Sequence, residues 1–223
     1  MLVRMLIGLS LLVSQLALAD NLRSALAQVD SYWKQGRAPV AVFDLDETLV
    51  NSHFRKLLAY RDAVEVLAPR FPKEAKAAAA LTVYDFTEVA NGYDITEIFK
   101  RIGVTNAAFI KEVDALMLPI YLSDKYMDFD SELPCATAFI RELQLRGVFV
   151  YFVSSRYKET QLEGTERSLL RMGMVRKGDS FEVILRPKGM SSIDFKTQTF
   201  QRIARQDVAL AFENEPENLN AMG

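Results

Sequence analysis

The sequence is poor in the residues that build covalent staples and imidazole centres. It has one cysteine, Cys135, so no intrachain disulfide can form. With no partner motif around it, Cys135 reads as a small buried apolar residue. It has one histidine, His53, which leaves out the multi-histidine zinc centres; His53 reads as a solvated or capping side chain. The formal net charge is −2 and no block of like charge stands out. That excludes the basic footprint of a nucleic-acid or anionic-membrane binder, and a charged tail. Repeats, low-complexity tracts and Gly/Ser linkers are also missing. What is present is an ordinary globular mix, 50% hydrophobic and 25% charged over 223 residues. That is enough for one domain, or for one domain with an insertion.

A mainly apolar stretch lies at the start. Met1 to Arg4 carries a positive charge, residues 5–18 are mainly apolar, and Ala17-Leu18-Ala19 meets Asp20. A charged start, an apolar middle and an A-x-A site form the pattern of a secretory signal peptide. The stretch is short of the roughly 20 apolar residues that a membrane span needs. Residues 1–19 are therefore expected to be removed, leaving a periplasmic or secreted chain without a stable membrane span.

Periodicity divides the remainder. Residues 21–35 place Leu22, Leu26, Val29 and Trp33 at helical spacing, with Gly36 as a stop and Pro39 opening the next element. Trp33 reads as a packing residue. Residues 40–44 are an apolar run of the kind buried on both faces in a parallel sheet. From 51 to 126 the pattern is helical, over 54–68, 73–89, 94–102 and 107–121, without a convincing strand. Asp94-Ile95-Thr96-Glu97 has the form of an N-terminal cap. Alternation then resumes: helix over 134–146, strand over 148–153, helix over 160–172, strand over 181–185, helix over 195–205, strand over 208–212. This order predicts a parallel α/β core with right-handed crossovers. Residues 20–50 and 127–223 form that core, and 51–126 are a helical insertion after its first strand.

Three of the strands end in polar clusters: Asp44-x-Asp46-x-Thr48, Ser154-Ser155-Arg156 and Glu213-x-x-x-Glu217. In extended backbone, residues two apart point the same way, so Asp44 and Asp46 converge. Two close carboxylates raise each other's pKa unless a cation neutralises them. Open α/β sheets bind ligands at the carboxyl ends of their strands. Taken singly, a D-x-D is often a turn, Ser-Ser-Arg a helix cap and Glu-x-x-x-Glu a solvated helix face. Jointly, carboxylates, a hydroxyl and the lone helix-borne Lys196 on one edge suggest a phosphate-plus-metal site.

With Asp44-Leu45-Asp46-Glu47-Thr48-Leu49 followed by these clusters in this order, the chain resembles the haloacid dehalogenase-like superfamily. It is most similar to the phosphatase branch and its secreted class B and class C acid phosphatase-like members. The resemblance implies a three-layer, Rossmann-like core with a helical C1-type cap at 51–126. It implies that Asp44 is the nucleophile forming an aspartyl-phosphate and Asp46 the general acid/base, its pKa raised toward the working pH. It further implies that Ser154, with Ser155 and Thr48, serves the phosphoryl group and that Lys196 stabilises its charge. Mg²⁺ would be held by Asp44, the Asp46 position and an acid after the last strand. That acid is Glu213 by first choice, with Glu217 beside it and Asn214 or Glu215 as substitutes. Here the sequence departs from the family, which has Asp at both positions. Lys188 competes with Lys196, which is preferred because Asp194-Phe195-Lys196 opens a helix. Arg156 and Tyr157 line the entrance or start a helix.

The reaction implied is Mg²⁺-dependent hydrolysis of a small phosphorylated substrate. A dehalogenase shares Asp44 but needs no acid at Asp46, since halide leaves without a proton. A phosphotransferase or mutase keeps all four motifs. A non-catalytic envelope binding protein finds support only in the Glu-for-Asp changes.

Overall fold

A computed structural model describes residues 21–87 and 95–220. The expected signal peptide and the expected cap at Asp94 lie outside the described residues. In chain order the strands are β1 (Val40–Phe43), β2 (Val50–Asn51), β3 (Ser131–Glu132), β4 (Phe149–Tyr157), β5 (Phe181–Arg186) and β6 (Val208–Phe212). Four of them form one parallel sheet in the order β5-β4-β1-β6, with β1 paired evenly along β4 and, after a register shift between Val40 and Ala41, along β6.

The helices are α1 (residues 21–34), α2 (His53–Leu67), α3 (Pro72–Ala78), α4 (Val83–Thr87), α5 (Ile95–Arg101), α6 (Ala107–Tyr121), α7 (Ala136–Leu145), α8 (Lys158–Arg171), α9 (Ser192–Ile203) and α10 (Pro216–Asn220). All four residues of β1 are buried, and their two-residue period sorts them between two cores. Val40 and Val42 pack with Tyr151, Val153 and the α9 residues Phe195, Phe200 and Ile203. Ala41 and Phe43 pack with Val29 of α1, Phe139, Ile140 and Leu143 of α7, and Leu169 of α8. The fold is therefore α/β with helices covering both faces of a parallel sheet.

Between β2 and β3 the chain makes a separate helical block. The two short strands pair antiparallel, Val50 with Glu132 and Asn51 with Ser131, so the chain leaves and returns at one place. The block has its own apolar centre, built from Leu57 and Tyr60 of α2, Phe86, Phe99, and Phe109, Val113 and Met117 of α6. Its rings contact directly: Tyr60 stacks on Phe86 at 5.3 Å and Phe99 meets Phe109 edge-on at 5.7 Å.

Four expectations are corrected by local chemistry. The single helix over 73–89 is two, because Asp85 accepts from the N–H and hydroxyl of Thr82 at 2.7 and 2.9 Å and opens a new helix there. Helix α9 starts at Ser192 rather than 195, since the Ser191 hydroxyl caps the Asp194 N–H at 3.1 Å. Cys135 is exposed; it occupies the left-handed turn before α7 (φ 68°) and is not core. Trp33 is 43% exposed at the edge of α1. Among the described residues no helix is long and apolar enough to cross a membrane.

Candidate active site

The end of β1 sets the geometry. The Asp44 N–H donates to the Phe212 carbonyl at 2.9 Å, so the ladder with β6 continues through Asp44. The chain then closes a tight turn around the Leu45 carbonyl, which accepts from Thr48, Leu49 and Val50. Glu47 takes a left-handed conformation to allow it, φ 60°. The turn folds Thr48 back, so that its hydroxyl lies 3.2 Å from both Asp44 Oδ2 and Asn214 Oδ1.

Asp44 is bound from the other face of the sheet. Lys196, 2% exposed on the inner side of α9, places its ammonium 2.6 Å from Asp44 Oδ1 and also contacts Glu213 Oε2. Two carboxylates thus share one cation. Burial pushes the Asp44 carboxyl up to about 7, against the pull of Lys196 and with the Glu213 charge adding to it. Burial works against the Lys196 charge as well, but Asp44 and Glu213 outweigh it and raise its pKa. Lys188, the competing lysine, is exposed in the loop after β5. Ser154 is buried within β4, three residues before its end, and its hydroxyl accepts from the Arg156 N–H at 3.3 Å. The Ser155 hydroxyl contacts that of Ser192.

Asp46 belongs to a different cluster. Arg156 grips it with two prongs, Nε to Oδ2 and Nη2 to Oδ1, both at 2.8 Å. Arg55 of α2 adds a bond from Nη2 to Oδ1 at 3.0 Å. Both guanidinium groups also pair with Asp130: Arg156 Nη2 donates to Oδ2 at 2.7 Å, and Arg55 Nε lies 2.9 Å from Oδ1 as an ion pair without a hydrogen bond. Burial alone would raise the pKa of Asp46, but the Arg156 guanidinium, by charge and hydrogen bond, and then Arg55 and Lys56 hold its carboxyl well below the usual range. The expected upward shift at Asp46 is thereby overturned. The two acids converge on one site as the i, i+2 spacing predicts, and side-chain cations supply the neutralising charge.

The clusters meet at a cavity of about 170 Å³. The core contributes Asp44, Asp46, Ser154, Ser155, Arg156 and Lys196, and the loop after β6 contributes Asn214 and Glu215. Arg55, Tyr121 and Leu122 reach it from the helical block and its exit, and Gln161 from α8. Sequence reading missed Arg55, Tyr121, Gln161 and Asp130. Arg55 did carry a signal: it sits four residues before Ala59 and eight before Ala63 on the buried face of α2, where a charge is unusual. Asp130 sits just before β3, in a stretch with no periodicity to betray its burial. His53 pairs with Glu47 at 3.3 Å and lies outside the cavity.

The four acids expected around a cation do not meet. Among the described residues no group of three or more His, Cys, Asp or Glu side chains is placed to hold a metal ion. Asp46 spends both oxygens on guanidinium groups. Glu213 has Lys196 on Oε2 and the Glu215 N–H on Oε1 at 3.1 Å. Glu217 is exposed in the first turn of α10 and outside the cavity. Of the expected acids and their substitutes, Asp44, Asp46, Asn214 and Glu215 line the cavity, beside the oxygen-bearing Ser154, Ser155, Tyr121 and Gln161. An all-oxygen set with few protein ligands fits Mg²⁺, which keeps several of its waters.

No family model matches the sequence, and no curated protein matches it. Solved structures do match. A class C acid phosphatase from Bacillus anthracis with tungstate bound aligns with a TM-score of 0.50 at 15% identity, over 89% of this chain and 62% of that one. The chain thus spans less than two thirds of that protein's length. A structure named as a haloacid dehalogenase-like hydrolase from Bacteroides fragilis aligns with a TM-score of 0.47 at 16% identity, over 83% of each chain. One named as a phosphoglycolate phosphatase from Lactobacillus delbrueckii gives 0.46 at 14% identity, over 83% of this chain and 82% of that one. At 15% identity the likeness to the class C acid phosphatase is one of fold.

Proposed function

We propose that the chain hydrolyses small phosphate monoesters through an aspartyl-phosphate on Asp44. The observation that carries this reading is the buried Lys196 ammonium, 2.6 Å from Asp44 at the carboxyl end of the central strand and shared with Glu213. In the first step an Asp44 oxygen attacks phosphorus and the ester P–O bond breaks; the leaving oxygen takes up a proton from water. In the second, water attacks the aspartyl-phosphate, Asp46 accepts its proton, phosphate departs and Asp44 is regenerated. The guanidinium groups of Arg156 and Arg55 favour the ionised form of Asp46, the form that accepts the proton in the second step. The Ser154 hydroxyl and the Lys196 ammonium serve the phosphoryl oxygens. Mg²⁺, when bound, would neutralise charge on phosphate and on Asp44. Asp44, Asn214 and Glu215 would hold it, with Glu213 kept for Lys196.

Residues 51–126 act in this reading as a cap over the site. Residues 1–19 act as the signal for export, which N-terminal sequencing of secreted protein beginning at Asp20 would test. The reaction is tested with p-nitrophenyl phosphate. Wild-type turnover should require Mg²⁺, and Asp44→Asn should lower it by at least ~10³-fold. An Asp44→Asn protein that still turns over would sink the mechanism, and a wild type that binds no metal and releases no phosphate would favour the non-catalytic binding protein.

A further inference from the structure

We propose that Arg55 and Asp130 are positioning residues for Asp46, so that the acid/base group of the core is held in place from the helical block and its return segment. The inference rests on the reading of Asp46 given above. Four charges form a closed square at this boundary, with Arg55, Arg156 and Asp130 each 5% exposed or less. Each guanidinium touches both carboxylates: Arg55 reaches Asp46 at 3.0 Å and Asp130 at 2.9 Å, and Arg156 reaches them at 2.8 and 2.7 Å. Asp46 cannot turn without leaving the buried Arg156 Nε short of its partner, and Asp130 cannot turn without losing the bond from Arg156 Nη2, which is costly.

The frame around the square is fixed as well. The Arg55 guanidinium lies 4.5 Å from the centre of the Tyr121 ring, and its Nη1 contacts Met127 Sδ at 3.0 Å. Met127 is fully buried against α8 at Gly164, where an added Cβ would stand 2.8 Å from Met127 Cγ and 2.6 Å from Asp124 Cβ. Asp130 therefore comes from a segment packed too closely to move independently of the core. Arg156 follows the phosphate-binding serines and belongs to the core. Asp130 does not line the cavity and reaches the site only through the two guanidinium groups, while Arg55 lines it beside Asp46.

The experiment uses Asp130→Asn, which keeps shape, and Arg55→Lys, which keeps charge but loses the fork. With an aryl phosphate, whose leaving group needs no acid, a misplaced Asp46 slows only the hydrolysis of the aspartyl-phosphate. The variants should show a stoichiometric burst of phenolate, phosphorylated Asp44 by mass spectrometry, and a kcat lowered about tenfold or more with KM within about twofold. A kcat within about twofold of wild type and no accumulated phosphoenzyme, in variants that fold by circular dichroism, would overturn the proposal. A wild type with neither turnover nor phosphorylation would instead refute the phosphatase reading. Positioning then remains decided by a crystal structure of Asp130→Asn. A rotated Asp46 carboxylate supports it, and an unmoved one overturns it.

Discussion

Two clusters of buried charge flank the same cavity, and they are built on opposite principles. On the sheet side, one ammonium serves two carboxylates, Asp44 and Glu213. At the boundary with the helical block, two guanidinium groups face two carboxylates, Asp46 and Asp130. The first cluster is short of positive charge; burial, with the Glu213 charge adding to it, pushes the Asp44 carboxyl up to about 7 against the pull of Lys196. The second is closed, and Arg156, then Arg55 and Lys56, hold the Asp46 carboxyl below the usual range. The open cluster is where chemistry and an added cation belong, and the closed one is a support.

The comparison breaks most sharply at Lys196. Lys196→Met leaves two buried carboxylates without a counter-charge and should cost about 3–5 kcal/mol. That is a fall in Tm of roughly 6–20 °C for a chain of this size, read by thermal denaturation in a chelating buffer. Adding Glu213→Gln removes one of the stranded charges and should recover part of the loss. Losses that simply add would mean that Lys196 and Glu213 do not interact as found.

The two clusters also differ in how far the sequence announced them. Asp44, Ser154, Lys196 and Glu213 lie at or next to elements with strong periodicity, and a parallel sheet brings strand ends to one edge by topology alone. The sheet itself was legible for the same reason, since β1 is apolar on both faces. The second cluster needs the path of the chain through the insertion. Asp130 reaches Arg156 only because β2 pairs with β3 and the return segment packs on Gly164, and no local pattern encodes that. Among the described residues the expected metal ligands are not grouped, and side-chain cations contact two of them: guanidinium groups hold Asp46 and Lys196 holds Glu213.

A smaller effect probes the frame of the closed cluster. Gly164→Ala places a methyl group against Asp124 and Met127, where the backbone and a buried side chain must give. Overpacking of this kind costs about 1–3 kcal/mol. Urea denaturation should show it as a lower midpoint, and a neutral change would mean that the return segment shifts freely on α8.

The open cluster should respond to cations, and with a specific ligand dependence. Mn²⁺ can be followed by its paramagnetic signal whether or not the chain turns over. Glu215→Gln, at the cavity, should weaken its binding by about tenfold, on the order of 1.4 kcal/mol. Glu217→Gln, exposed on α10, should leave it unchanged. The reverse order would return the second carboxylate of the loop to the role expected from sequence.

The smallest effect concerns the turn that separates the two acids. Glu47 is an L-residue at φ 60°, and its carboxylate contacts His53 at 3.3 Å and Ser52 at 3.4 Å. Glu47→Ala and Glu47→Gly lose the same contacts, but only glycine adopts this conformation without a steric penalty. The glycine variant should therefore be more stable than the alanine variant by about 0.5–1 kcal/mol, after its greater unfolded-state entropy is allowed for. Paired chemical denaturation measures the difference directly. An alanine variant as stable as the glycine variant would mean that the turn does not impose this backbone, and that the guanidinium pair alone sets Asp46 apart from Asp44.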